Sequence, residues 1–460
     1  MMRITRPFVI VALAVALPAG VVGQANPAGQ IVVGENVLVS TAAAERPLVE
    51  PQLAVNPKDP KHLLATAMVV NPSAVADSDC AVFLSFDGGR TWAQHNFGVP
   101  ECADPWVALR EDGTALFAGL SMARNNEMQL VRSADGGRTW ASVPLDLGRI
   151  HDHESMIVDT TTGPHAGSIY LVSHGSWRGK SGRSSGSIFV TRSADGGRTF
   201  TPPVHIVPSN LNFNVLTPGV LSDGTLVVPY MDFQSNISDF RSRAGELERK
   251  RAWVVTSGDG GQTFSPPLFV SEACGLGFGS LAVDLSIRPT RDRLYFICNN
   301  RELSGILVHN SENGGDNWSQ PVRADAAAGE VAFRRPPAVA VNRDGVVGVT
   351  WYERRTDGDR QCQHLYFTAS LDGGKTFLPE VRVSSAPSCP DTARNGRVAT
   401  RWPEGGDYSG LAAAADGTFH VLWPDSRDGI YRLWTAPVTV KATAAGKIQS
   451  SREAAAPRKR

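Results

Sequence analysis

The chain has 460 residues, and 45 Lys and Arg balance 45 Asp and Glu, so its formal net charge is zero. That excludes a surface built mainly for nucleic acid, which needs a surplus of basic side chains. Hydrophobic residues at 42% and charged residues at 20% are those of a globular protein large enough to bury a core, while 45 Gly and 30 Pro point to many turns between short strands. An all-β architecture is the first expectation.

Residues 1–23 place Arg3 and Arg6 ahead of an apolar run over 8–22 that is broken by Pro18. This is the layout of a secretory signal peptide, with cleavage expected near Gly23 and a soluble product outside the cytoplasm, secreted or periplasmic. No later segment approaches the run of roughly 20 apolar residues that a transmembrane helix requires. Export permits disulfides, and the six cysteines fall into three close couples. Cys80 is expected to pair with Cys102 and Cys362 with Cys389, each tying a third strand to the exit loop of its own repeat, while Cys274 with Cys298 would link adjacent units. Free buried thiols are the alternative. A zinc site is not expected, because no CxxC spacing occurs.

One octapeptide organises the rest of the chain. It reads SFDGGRTW at 85–92, SADGGRTW at 133–140, SADGGRTF at 193–200, SGDGGQTF at 257–264, SENGGDNW at 311–318 and SLDGGKTF at 370–377, and successive copies lie 48 to 64 residues apart. That period is one four-stranded propeller blade. The motif is a turn device: its Asp can accept hydrogen bonds from nearby backbone N–H groups, its glycines accept positive φ, and its terminal aromatic wedges the turn against neighbouring strands. The octapeptide resembles the Asp-box, or BNR repeat, S-x-D-x-G-x-T-W. The resemblance spans residues 31–440 and implies a sialidase-like β-propeller with the boxes at the blade periphery, away from the ligand-binding face. In the fifth copy Asn313 and Asn317 replace Asp and Thr, so that turn should be less well braced.

Strand-like openings recur near Glu50, Asp104, Asp152, Thr217, Ser280, Arg335 and Asp407, seven openings for six boxes. The last unit lacks a box and a fourth strand, and ENVLVS at 35–40 resembles the strands that follow the boxes. An N-terminal strand completing the last blade would close the ring and protect its edges. Seven four-stranded blades are therefore expected over 24–440; six, the sialidase number, is the alternative. Residues 441–460 carry six basic residues against one acidic and no aromatic, and are expected to be a disordered tail.

Polar residues at the strand openings should converge on one funnel. They include Glu50, Asp104, the run 151–154 (HDHE), Arg334, Arg335, Asp407 and Tyr408, with 352–355 and 425–427 on further loops. The resemblance implies an exported glycoside hydrolase of the exo-alpha-sialidase type, acting on acidic sugars of glycans or glycoconjugates. In it Asp104 would be the acid/base and Tyr408 the nucleophile with Glu154 as its base, while Arg334, Arg335 and Arg427 would hold the substrate carboxylate. The family's F/Y-R-I-P arginine motif is absent from the opening strand, and its nearest counterpart is FRRPP at 333–337. No cofactor motif and no metal site is expected. The rival reading is a non-catalytic Asp-box propeller that binds glycans or a protein partner through the same funnel.

Overall fold

The computed structural model describes residues 29–442 apart from 42–45, 75–76, 148–149, 179–183, 210–211, 234–249, 326–330 and 356–361. Seven antiparallel sheets follow one another along the chain as the blades of a propeller. Blade 1 comprises Leu48–Val55, Leu63–Val69, Asp79–Ser85 and Ala93–Asn96, from the axis outward. Blades 2, 3, 5 and 6 repeat this order from inner strands Cys102–Leu109, His151–Val158, Cys274–Val283 and Val331–Val341. In blade 4 the inner strand is split into Asn212–Val215 and Gly219–Val220. Blade 7 has Gly410–Ala413 innermost, then Phe419–Asp425 and Arg432–Ala442.

The N-terminus supplies the last blade's outer strand, as expected, but with different bounds. Gly29–Val33 pairs antiparallel with Arg432–Ala442, and Val37–Leu38 resumes the pairing further along the same strand. The break has a local cause in Pro437, which has no N–H to offer the ladder. Gly34 passes over it and donates to the Pro437 carbonyl at 2.8 Å, and a Cβ on Gly34 would come within 2.7 Å of the proline ring. The expected leader, residues 1–23, and the tail beyond Ala442 lie outside the described residues; the last strand runs two residues past the expected boundary at 440. Among the described residues no helix is long and apolar enough to cross a membrane.

The core is distributed over the seams between blades. Val82 of blade 1 packs with Val107 and Phe117 of blade 2, and Leu48 and Phe83 of blade 1 pack with Leu422 and Leu433 of blade 7. Each side chain buried in this way contributes roughly 1.5–3 kcal/mol. The Asp boxes end the third strands, at the face opposite to the one on which the inner strands begin. In the first box Asp87 accepts from the Arg90 and Thr91 N–H groups and from the Ser85 and Thr91 hydroxyls at 2.7–3.0 Å. Desolvation opposes ionisation there, but the hydrogen bonds led by Thr91 prevail and lower its pKa to about 2. The fifth box keeps the bonds from the Ser311 hydroxyl and the Asn317 N–H to the Asn313 oxygen; Asn317, lacking a hydroxyl, makes no counterpart of the Thr bond. Boxes also stitch neighbouring blades together: Arg132 donates to Gly196 O at 2.6 Å and Arg293 to Gly373 O at 2.9 Å. At Gly137 (φ +93°) a Cβ would lie 2.2 Å from Leu84 of the preceding blade, so only glycine fits.

All three expected disulfides are present, with Cα separations of 5.6, 5.7 and 4.2 Å. Two of them connect differently from expectation. Cys102 opens the inner strand of blade 2, so Cys80–Cys102 crosses between blades. Cys274 and Cys298 lie on the first two strands of blade 5, so their bond stays within one blade. Cys362–Cys389 ties blade 6 to its own exit segment. Loops of 22 to 27 residues closed in this way each contribute about 3 kcal/mol in the chain-entropy model.

Ring closure predicts the effect of truncation. A variant beginning after Ser40 leaves Arg432–Ala442 as an open edge and should melt about 10 °C or more below the protein that starts at Gly29, with aggregation on heating. Equal melting temperatures in calorimetry would show that the strand does not latch the ring.

Candidate active site

The inner strands of blades 1, 2, 3 and 6 share an irregularity at the mouth of the funnel. Between Val49 and Gln52, Ala103 and Trp106, Asp152 and Ser155, and Arg335 and Ala338, three steps on the inner strand face two on its neighbour. One extra residue per strand forms a β-bulge and leaves the ladder. In the first three blades that residue is Glu50, Asp104 and His153, each with φ near +50° (55°, 48° and 50°). Such a conformation costs a non-glycine residue about 1–3 kcal/mol and persists only where the surrounding structure holds it. Pro51 and Pro105 follow the first two, and a proline has no N–H to leave unpaired in the bulge.

Tyr408 and its neighbours arrive from a segment outside the repeat. Between blades 6 and 7 the chain makes two short helices, Thr392–Asn395 and Val398–Arg401, before turning back to the axis. Cys362–Cys389 anchors the start of this excursion, and Asn395 fixes it by donating to Asp391 O and Gly429 O and accepting from Tyr431 N–H. At its end Gly406 (φ +125°) packs so closely on the blade 1 bulge that a Cβ would sit 2.5 Å from Glu50 Cγ, and Gly405 O accepts the Glu50 N–H at 2.8 Å. Arg401, Glu404, Asp407 and Tyr408 are thereby delivered to the funnel.

There the carboxyl groups of Glu50, Asp104 and Asp152 come within electrostatic reach of one another across three blades, and the His153 N–H donates to both Asp104 and Asp152. Like charges this close disfavour one another, and their ionisations split accordingly. Burial raises Asp104 to about 6, with the Asp152 charge adding to the effect. Burial and the charges of Asp104 and Asp407 push Glu50 well above the ordinary carboxylate range. Asp152 lies below that range: desolvation opposes its ionisation, but His153 and His174 together favour it. His174 is itself lowered to about 4 by burial, and its Nε2 is 3.7 Å from Asp152. The Tyr408 hydroxyl hydrogen-bonds to His153 Nδ1, and the tyrosine ring stands edge-on to Trp106 at 6.1 Å. Burial and the charges of Asp104, Glu50, Asp152 and Asp407 keep the phenol protonated. Beneath lies an axial cavity of about 250 Å³ whose lining includes Trp106, Met156, Pro337, Asp407 and Tyr408.

The expected site residues separate into two groups. Asp104, Glu154 and Tyr408 come together: Asp104 acts electrostatically on both others, and Glu154, with 1% exposure, is raised well above the ordinary range by burial and by the charges of Asp104 and Asp152. Neither Glu154 oxygen has a hydrogen-bond partner among the described residues. Arg335 also reaches the funnel, where it pairs with Glu404 at 2.5 Å. Arg334 turns the other way, into a buried pairing with Glu353 at 2.8 Å and Asp325 at 3.3 Å. Arg427 sits at the closure seam, bound to Asp425 at 2.6 Å, to Ser385 at 2.9 Å and to Asn36 at 3.3 Å, with its guanidinium over Trp434. Two further arginines belong to this region: Arg354, from the 352–355 run noted in the sequence, and Arg401, from the excursion between blades 6 and 7. Arg354 interacts with Glu404 and Arg335, and Arg401 with Glu50 and Asp407. His151, considered above with His153, is buried against Ser173 and Leu147 O instead. Among the described residues the one group of three potential metal ligands is Cys274, Cys298 and His309, and its two sulfurs are joined in a disulfide.

The BNR repeat-like domain model matches residues 153–421, more than half of the chain, and the protein belongs to that family. No curated protein matches the sequence. Solved structures with a similar fold include a Dyadobacter fermentans protein of unknown function (13% identity, TM-score 0.46, covering 89% of this chain and 99% of that one). Others are the Penicillium chrysogenum alpha-L-arabinanase complexed with arabinobiose (14%, 0.47, 88% and 98%) and the Trypanosoma rangeli sialidase (12%, 0.45, 92% and 61%). At these identities the likeness carries no information about substrate.

The raised Asp104 makes a prediction about stability. The folded protein keeps on Asp104 a proton that the unfolded chain releases, so stability falls as pH rises from 3.8 to about 6 and the deficit is complete above that. Asp104→Asn should therefore raise the melting temperature by a few degrees at neutral pH, with the gain vanishing below pH 3.8. A variant less stable than the parent at neutral pH would contradict the assignment.

Proposed function

We propose that this protein is an exported glycoside hydrolase of the sialidase type, acting on a terminal acidic sugar of a glycan or glycoconjugate in the funnel. The observation that carries the reading is the grouping of the Tyr408 hydroxyl with His153, Asp104 and Asp152 at the funnel mouth, where burial and charge divide the carboxyl ionisations. Asp104, raised to about 6, keeps a protonated fraction close to neutral pH, while Asp152 beside it is held ionised. Carboxyls driven apart in this way are the mark of acid/base chemistry. Asp104 would protonate the leaving oxygen and, once ionised, take a proton from the incoming water. Tyr408 would attack the anomeric carbon; a neutral phenol approaches an anionic sugar without the repulsion a carboxylate would meet.

The sugar's carboxylate would be held on the opposite side of the funnel, at blades 6 and 7. Arg335 would keep its expected role there, joined by Arg354 and Arg401, while Arg334 and Arg427 are engaged in ion pairs elsewhere. Glu404 would act as the orienting partner of Arg335. Export is supported by the three disulfides, which persist in oxidising compartments, and by the signal-like layout of residues 1–23.

Tyr408→Phe removes one hydroxyl and should abolish hydrolysis of an aryl sialoside, while affinity for the free sugar changes by no more than a hydrogen bond, about 0.5–1.5 kcal/mol. A parent protein that binds acidic sugars by calorimetry but never turns over the aryl sialoside would be a binding module instead.

A further inference from the structure

Family resemblance supplies a carboxylate to take the proton from the nucleophilic tyrosine, and Glu154 was the residue expected in that role. The geometry points to His153 as the catalytic base instead, an inference that rests on the hydrolase reading above. Glu154 follows the bulged residue, in the place that Pro51 and Pro105 hold in blades 1 and 2, and is buried with neither oxygen hydrogen-bonded among the described residues. His153 is the bulged residue itself, and its Nδ1 is in direct hydrogen-bond contact with the Tyr408 hydroxyl. The tautomer protonated at Nε2 leaves Nδ1 free to accept the phenolic proton.

Everything around the imidazole fixes its position. Its backbone N–H donates to Asp104 Oδ2 at 3.3 Å and Asp152 Oδ1 at 3.1 Å, which holds the strained turn. Its ring stacks on His174 (centroids 5.6 Å apart, planes at 23°) and lies 5.8 Å from Phe278. Asp104, Asp152 and Asp407 are its acidic neighbours in the funnel. The first step then balances as follows. Tyr408 Oη forms a bond to the anomeric carbon as the glycosidic C–O bond breaks. The phenolic proton passes to His153 Nδ1, and the Asp104 proton goes to the departing oxygen. In the second step water attacks the anomeric carbon and gives its proton to Asp104, the tyrosyl–sugar bond breaks, and His153 returns its proton to the tyrosine oxygen. The net change is hydrolysis, with every group restored.

The positive φ of His153 allows a clean test, because glycine is at ease in that conformation and leaves a hole the size of the ring. His153→Gly should keep the parent's melting temperature, lose at least ~100-fold in hydrolysis of an aryl sialoside, and recover at least ~10-fold with added imidazole. His153→Asn, also tolerated at positive φ, should fold, lose a similar factor and gain nothing from imidazole. Near-parent activity in His153→Gly, with Tyr408→Phe inactive, would overturn the base assignment and leave the hydrolase reading standing. Loss of activity without imidazole rescue would overturn it too. No turnover by the parent protein would remove the hydrolase reading and the base with it.

Discussion

One extra residue near the start of an inner strand is the constraint on which the site depends. An unbroken ladder would alternate side chains between the two faces of the blade, into the seams on either side. The bulge breaks that alternation at the same level in blades 1, 2 and 3, and so Glu50, Asp104 and His153 meet at the axis although they belong to sheets that otherwise touch only through their seams. The left-handed conformations that this demands are unfavourable for side chains other than glycine. They are maintained by contacts from outside the repeat, above all by the 392–409 excursion pressing Gly405 and Gly406 onto the blade 1 bulge.

The two faces of the ring thus do different work. On one, the Asp boxes lock each third-to-fourth strand turn and receive donors from the neighbouring blade, which makes the ring stiff. On the other, acidic groups from several blades are brought together with too few cations to relax all of them, and their ionisations are forced apart. Stability is spent at the funnel and recovered at the boxes, the seams, the disulfides and the N-terminal latch. This is the usual relation between a rigid scaffold and a strained functional centre.

Much of the scaffold was legible in the sequence because its signals are local and repeated. Six octapeptides and seven strand openings define the blade number, and the missing outer strand of the last unit points to the N-terminus. The bounds of that latch were not legible, since two apolar segments resemble outer strands and the interruption between them is caused by Pro437, some four hundred residues away in sequence. The site was legible as an inventory only. Arg334 and Arg335 are adjacent and chemically identical, and which of them enters the funnel depends on their alternation along the strand just before the bulge. Arg427 was selected for its loop, yet it binds Asp425 two residues back and fastens the seam. Arg401 lies in a helical excursion that no repeat predicts. The one overlooked local signal was an acidic residue before proline at a strand opening, in Glu50-Pro51 and Asp104-Pro105.

Separate ionisation of the funnel carboxyls is measured directly by a carbon-13 NMR titration of the Asp and Glu side chains. The structure predicts a midpoint of about 6 for Asp104, values well above the ordinary range for Glu50 and Glu154, and a value below it for Asp152. Four carboxyls titrating together between 3.8 and 4.5 would mean that the bulges do not bring these groups into one interacting cluster, and the proposed chemistry would have no basis.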